Sequence, residues 1–312
     1  MKEPNQLAIV TSHLIKEYRG VFKRDGFRAL DGVSLDVPRG SIFGFLGPNG
    51  AGKTTTINIL LGIVYPTSGR GQVLGLPLGH IEGKRRIGFL PEKFQFHDFL
   101  TATEFLDLHG RFHSLDKRTR KERIERELVR VGLIERRHSK LREFSKGMQQ
   151  RIGLAQALIN DPDLVILDEP TSALDPLGRR DVRRIVNDLK AEGKTVFLNS
   201  HLLSEIEMTC DTVAIVNRGR IVRQGSMEEL LKTQARVELQ LQQKSPEVAA
   251  ALQRIALNVS ANTTTITVDL ASEDDIPRVV EEAVKAGGKV IAVTPYRMSL
   301  EELFVRTVEE NK

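Results

Sequence analysis

The sequence predicts an α/β protein: a largely parallel sheet with flanking helices, a helical insertion over about residues 95–160, and a small α+β domain at the end. Three observations carry this reading. Two short, continuously apolar runs, DLVILDEP and KTVFLNSH, have the pattern of strands buried on both faces, and a helical pattern separates them. A glycine-rich turn joins an apolar strand to an apolar helix in SIFGFLGPNGAGKTTTINILLGIV. Beyond GSMEELLK the texture changes to cleanly alternating strands interleaved with helices, so the chain divides at 1–230 and 231–312.

In chain order, the opening residues read as strands leading to the glycine turn. Short Gly-rich segments follow, including GRGQVLGLPLG, and RIGFLPE is a strand that Pro91 ends. LTATEFLDLHGRF opens a helix, with Thr101 and Glu104 at capping-box spacing. Helical patterning continues to about Asn160. The basic run DKRTRKERIERELVR reads as a solvated helix face with Leu128 and Val131 on its apolar stripe. VAIVNRGRIVRQG reads as a hairpin turning at Arg218 and Gly219. The final 231–312 domain reads β-α-β-α-β-α: ARVELQLQ, PEVAAALQRI, NTTTITVDL, IPRVVEEAVKAG, KVIAVTP and SLEELFVRTV. It carries no glycine loop or catalytic constellation, which suits an interaction or regulatory module.

Bulk properties narrow the function. The 312 residues hold one cysteine, Cys210, so an intrachain disulfide is excluded and a reducing compartment is expected. The start MKEPNQLAIV lacks the apolar core of a signal peptide. INILLGIV falls far short of the ~20 apolar residues that span a bilayer, so the chain is not expected to form a membrane pore itself. A net charge of +5 permits contact with an acidic membrane, nucleic acid or an acidic partner and selects none of them.

The chemistry concentrates in two places. GPNGAGKT, Gly47 to Thr54, has the spacing G-x-x-x-x-G-K-[ST] between a strand and a helix. Gly47, Gly50 and Gly52 let backbone N–H groups converge on phosphate oxygens, and the helix start adds its positive end. Lys53 supplies a point charge for the β- and γ-phosphates, and Thr54 a hydroxyl for Mg²⁺. LVILDEP then delivers Asp168 to the edge of the sheet where ligands bind, to hold Mg²⁺ through water, with Glu169 next to it to polarise the attacking water. His201 ends the following buried strand. A second anion-suited helix start, FSKGMQQR, presents Ser145, Lys146 and Gly147.

GPNGAGKTT, FSKGMQQR, LVILDEP, SALD and NSH, in that order over about residues 5–225, resemble the ATP-binding cassette proteins, specifically the ATPase subunit of a transporter. The resemblance implies a P-loop NTPase domain with an inserted helical subdomain, ATP and Mg²⁺ as ligands, and ATP hydrolysis. It implies that two cassettes pair head to tail, as a homodimer, so that Ser145, Lys146 and Gly147 of one meet the nucleotide held by Gly47, Pro48, Asn49, Gly50, Ala51, Gly52, Lys53, Thr54 and Thr55 of the other. Two phosphate-facing helix starts in one chain are then two half-sites. Asp175 matches the residue that links the two sites, His201 the switch histidine at the γ-phosphate, and Tyr18 the aromatic that stacks on adenine. The insertion RGVFKRDGF leaves Phe22 and Phe27 as alternatives for that role.

Two departures from the family pattern stand out. Lys146 replaces a usual glycine and Met148 a frequent glutamine, and a cation at Lys146 remains compatible with an anion site. Glu92 occupies the place of the glutamine that touches Mg²⁺ and the attacking water, with Gln95 three residues on as the alternative equivalent. IGFLPE, FSKGMQQRIGLAQAL and SLEELFVRTV resemble drug- and polymer-export ATPases that serve a separate ABC-2-type permease. That implies a peripheral protein at the cytoplasmic face of the cell membrane, with no nucleic acid as partner. The rival is a soluble mechanical ATPase acting on nucleic acid or a ribosome, but such proteins carry two fused cassettes or a long coiled coil, and this chain has one signature and no long heptad run.

Overall fold

The computed structural model describes residues 6–18, 26–93, 96–172, 174–231, 236–243, 246–262, 264–296 and 298–310. It divides into two compact units, Met1–Met227 with Phe304–Lys312, and Glu228–Leu303.

The first unit opens with β1 (Leu7–Tyr18), β2 (Phe27–Val33) and β3 (Asp36–Pro38), then β4 (Ile42–Leu46) and helix α1 (Lys53–Leu60). β5 (Ser68–Val73), β6 (Leu76–Pro77), α2 (Ile81–Arg85) and β7 (Ile87–Leu90) follow. The insertion contains α3 (Ala102–Phe112), α4 (Lys117–Arg130) and α5 (Lys146–Leu158). The chain returns to the sheet with β8 (Leu164–Asp168), α6 (Pro176–Ala191), β9 (Thr195–Asn199), α7 (Leu203–Thr209), β10 (Thr212–Asn217), β11 (Arg220–Ser226) and α8 (Met227–Leu231).

One sheet runs β11-β10-β4-β9-β8-β7, parallel from β10 to β7, with β11 antiparallel at its edge. Every residue of β4, β8 and β9 is buried, as their continuous apolar runs require. Phe197 packs at the centre, its ring 5.5 Å from Phe43 and 5.3 Å from Phe45. Phe197→Ala should lower stability by about 3–5 kcal/mol, the range for truncating a buried aromatic. Urea unfolding followed by circular dichroism reads it, and an unchanged midpoint would contradict this packing.

The opening strands do not join that sheet. They form their own antiparallel sheet, β2-β1-β5-β6, with β3 also on β1. Register shifts along β1, against each of its three partners, break the two-residue alternation that would have revealed it from sequence. Ile9, Leu14 and Leu30 of this sheet share one apolar core with Phe43, Ile166 and Phe197 of the other and with Ile57 and Leu60 of α1. The β10–β11 hairpin turns at Arg218 and Gly219, both at positive φ, as expected for a two-residue turn. Gly219 N–H donates to Ala51 O at 2.9 Å, and Gly219 O accepts from Asp31 N–H at 2.8 Å, so the turn ties the glycine loop to β2.

In the insertion, Thr101 and Glu104 form the full capping box, and Asp116 caps α4 through Arg118 and Thr119 N–H. Part of the basic run faces solvent as read, with Ile124, Leu128 and Val131 buried beneath it, but Arg120 and Arg130 are largely covered and ion-paired. Glu127 departs further. It is buried, with carboxylate oxygens 2.7 Å from Arg126 Nε and 3.2 Å from Arg130 Nε. Burial raises its pKa despite the two guanidinium groups. Arg130 continues to Glu192, just past α6, so the insertion is charge-tied to the sheet's flanking helix.

The second unit contains β12 (Arg236–Leu241), α9 (Pro246–Leu252), β13 (Asn258–Ala261), β14 (Thr265–Asp269), α10 (Ile276–Lys285) and β15 (Val290–Tyr296), and α11 (Leu300–Glu310) crosses its boundary. Its antiparallel sheet runs β13-β14-β12-β15 over a core of Val237, Leu239, Val248, Leu252, Val268 and Val279. β13 is one strand more than the sequence pattern predicts. It is a four-residue edge strand whose Asn258, Ser260 and Ala261 are exposed, too short and polar for alternation to register.

Candidate active site

Four adjacent parallel strands end at one edge of the first sheet, and each delivers part of the site. β4 leads into the glycine loop, β7 into Pro91 and Glu92, β8 ends in Asp168 and Glu169, and β9 leads through Asn199 and Ser200 to His201. This edge is where open parallel sheets bind ligands.

Two glycines of the loop have no substitute. A Cβ on Gly47 would lie 2.3 Å from Val216 O, and Gly52 has φ +105 with Ala29 O 2.7 Å from its Cβ position. The loop closes with Ala51 N–H donating to Pro48 O at 3.1 Å. Lys53 starts α1 and reaches back, its Nζ donating to Gly47 O at 2.7 Å and Pro48 O at 3.1 Å.

A cleft of about 230 Å³ opens here, lined by Phe27, Ala29, Asn49, Gly50, Gly52, Lys53, Thr54, Thr55, Glu92, Asp168, Glu169 and Asn199. Asp168 and Glu169 are buried, and Glu169 Oε2 lies 2.7 Å from His201 Nδ1. Burial raises the pKa of Glu169. His201 opposes that rise and Asp168 adds to it. Asp168 is raised by burial too, opposed by the Asn199 hydrogen bond and by Lys53. Burial lowers the Lys53 pKa, and Glu169, Asp168 and Glu92 oppose the fall. Three carboxylates around one ammonium leave the cleft short of positive charge.

Glu169 itself has φ 55, the left-handed region that a non-glycine residue occupies at a cost. Its N–H donates to Asn199 O at 2.8 Å, and its carbonyl accepts from Ser172 Oγ at 3.1 Å and Gln150 Nε2 at 3.4 Å. Gln150, on α5, thereby connects the FSKGMQQR helix to the Glu169 peptide. Gln150, Ser172 and Asn199 lie within the FSKGMQQR, SALD and NSH stretches but are not among the site residues expected from sequence. Only Asn199 left a signal, as a polar residue closing an apolar strand.

The remaining candidates lie apart from the cleft. Ser145 caps α5, accepting from Met148 N–H at 3.3 Å, and Ser145 and Lys146 are exposed while Gly147 is half-buried against Leu174. None of the three lines the cleft. Asp175 caps α6, accepting from Gly178 N–H at 2.7 Å. Tyr18 is off the cleft lining as well, with the Lys16 ammonium 5.1 Å from its ring centre. Its cross-strand partner Phe27, 63% exposed, is the aromatic that lines the cleft, which favours the alternative named for adenine stacking. Directly paired residues of an antiparallel ladder leave the same face, so the two rings are neighbours, and of the two only Phe27 lines the cleft. Phe22 and Gln95 lie outside the described residues.

A helix start with convergent N–H groups, a lysine at its first turn and a carboxylate pair opposite suit a nucleoside triphosphate and its hydrolysis, which places the chain among P-loop ATPases. Known proteins narrow the class. The ABC transporter family profile matches residues 30–172. The uncharacterized ABC transporter ATP-binding protein sll0415 of Synechocystis is 42% identical, over 99% of this chain and 87% of its own length. The bacitracin transport ATP-binding protein BcrA of Bacillus licheniformis is 35% identical over 90% and 92%. The Nod factor export ATP-binding protein I of Ralstonia nicotianae is 38% identical over 70% and 68%. Among solved structures, the ATP-binding cassette MJ0796, titled as a dimeric post-hydrolysis state with ADP and Pi, superposes with a TM-score of 0.64 at 26% identity, covering 70% of this chain and 98% of that one. The chain belongs to the ABC transporter family: it is an ATP-binding transporter subunit and an ATPase.

Proposed function

We propose that this ATPase powers an exporter, closing head to tail with a second copy around two ATP and driving a separate ABC-2-type permease from the cytoplasmic face of the membrane. One observation carries the composite site: the exposed α5 start at Ser145 and Lys146 stands outside the cleft that holds Lys53, Asp168 and Glu169. An anion-suited helix end that lies off its own chain's cleft is suited to be a half-site for a neighbour's nucleotide. The dimeric MJ0796 cassette supports the pairing, and the bacitracin transport and Nod factor export relatives support export. No helix among the described residues is long and apolar enough to cross a membrane, so the route for cargo belongs to the permease. The 231–312 domain serves as an accessory module.

Each residue then has a task. The loop N–H groups and Lys53 bind the phosphates. Phe27, or Tyr18 beside it, stacks on adenine. Glu169 accepts a proton from the attacking water, and its burial-raised pKa brings it nearer to neutral pH, where a general base works best. His201 holds that carboxylate through Nδ1 and faces the γ-phosphate, and Asp175 links the two sites. The carboxylate-rich cleft fits a divalent cation, and its donors are hard oxygens. Among the described residues no three His, Cys, Asp or Glu side chains come together as a metal cage, so phosphate and water would complete the coordination of Mg²⁺. Thr54 and Asp168 would hold it, with Glu92 alongside, and when bound it neutralises phosphate charge. Charge-assisted hydrogen bonds contribute about 1.5–3 kcal/mol each, so the few that Ser145, Lys146 and Gly147 give a γ-phosphate decide between open and closed dimers.

Mixing two inactive variants tests the composite site. Lys53→Ala lacks a working phosphate loop, and Ser145→Arg lacks a working α5 start. Each alone should be inactive. An equal mixture should regain roughly a quarter of wild-type hydrolysis, since half the dimers then carry one intact site of two. A mixture as inactive as its parts would reject the head-to-tail arrangement.

A further inference from the structure

Asn199 meets both acidic residues at the end of the neighbouring strand with different groups, the Asp168 side chain and the Glu169 main chain. The parallel register pairs it with Asp168. Its Nδ2 donates to Asp168 Oδ1, while its main-chain carbonyl accepts from Glu169 N–H at 2.8 Å. Chemistry fixes the amide's orientation: an ionised carboxylate only accepts, so the NH₂ must face Asp168 and Oδ1 must face elsewhere. That Oδ1 is buried and has no partner among the described residues, although Asn199 is only 3% exposed and lines the cleft.

Buried polar atoms are nearly always paired, so an orphan beside a polar cleft points to a hydrogen supplied with the ligand. At the phosphate end of a triphosphate–cation complex, phosphate oxygens only accept and the cation carries no hydrogen. Water is the donor that remains.

We propose that Asn199 is a positioning residue of the hydrolytic site: its NH₂ aims Asp168, and its Oδ1 accepts a hydrogen from a water held in the loaded cleft. This rests on the reading of the cleft as an ATP–Mg²⁺ site. Asn199 thus holds the Asp168 carboxylate by its side chain and the Glu169 peptide by its main chain. Substitution removes only the first of these, because the carbonyl remains.

The test titrates Mn²⁺, read by its electron paramagnetic resonance signal, into the full-length chain saturated with a non-hydrolysable ATP analogue. Asn199→Ala should weaken Mn²⁺ binding roughly ten- to hundredfold, the loss expected for a hydrogen bond to a charged group. Binding of the analogue without divalent cation should stay unchanged, and in turnover kcat should fall while KM for ATP holds. If Asn199→Ala fails to fold, Asn199→Val, whose branched side chain suits a strand and has no polar atom to replace the amide, undergoes the same titration. Equal Mn²⁺ affinity in wild type and a folded variant overturns the proposal. A wild type that takes up no Mn²⁺ alongside the analogue overturns the cation reading of the cleft, and the proposal with it.

Discussion

Glu169→Gln is expected to leave ATP binding intact while turnover falls by about 10²–10⁴, the contribution of a positioned general base. The substitution keeps the shape of the side chain at the end of β8 and removes its charge and its capacity to take a proton. The surroundings support a large effect: the carboxylate is buried, lines the cleft and meets His201 Nδ1 at 2.7 Å. With ATP bound and not consumed, the contacts that close the dimer persist, so the closed form should accumulate. Size-exclusion chromatography with ATP and Mg²⁺ should show a dimer for this variant and mainly monomer once nucleotide is removed. A monomer under both conditions would refute the dimer closed by ATP.

Lys53→Ala should abolish measurable hydrolysis and weaken ATP binding by roughly tenfold to a hundredfold, as expected when one charge-assisted hydrogen bond to phosphate is lost. Lys53 is the ammonium among three cleft carboxylates, so its loss also leaves those carboxylates to repel the triphosphate. The protein should remain folded, because the side chain's two hydrogen bonds go to carbonyls of its own loop, Gly47 and Pro48. Phosphate release and nucleotide titration check the two effects separately. Phosphate release at the wild-type rate would remove the glycine loop from the mechanism.

Much of this was legible in the residues because the chemistry is local. Gly47 to Thr54 must be contiguous to wrap a phosphate, and Asp168 with Glu169 must end a strand that is apolar throughout. The parallel strands showed for the same reason, since burial on both faces leaves no polar residue to blur the run. What stayed hidden depends on contacts distant in sequence. The antiparallel sheet of β1, β2, β3, β5 and β6 is masked by register shifts along β1. Glu127 looks like one more surface charge in a charged helix until Arg126 and Arg130 are seen to enclose it. Tyr18 is the first candidate in sequence with Phe27 as an alternative, and only the lining of the folded cleft favours Phe27. Asn199 becomes informative only when β9 is laid beside β8 in register.

The left-handed backbone at Glu169 has a consequence for how this position can drift. Holding a non-glycine residue at φ 55 costs on the order of 1 kcal/mol or more. Glycine or asparagine would sit there with less strain, so selection for sturdiness alone would push the position toward residues that cannot do the chemistry. Under the proposed role of Glu169 as general base, hydrolysis is what would hold a glutamate here, and a descendant freed from the need to burn ATP would be expected to lose the acid early.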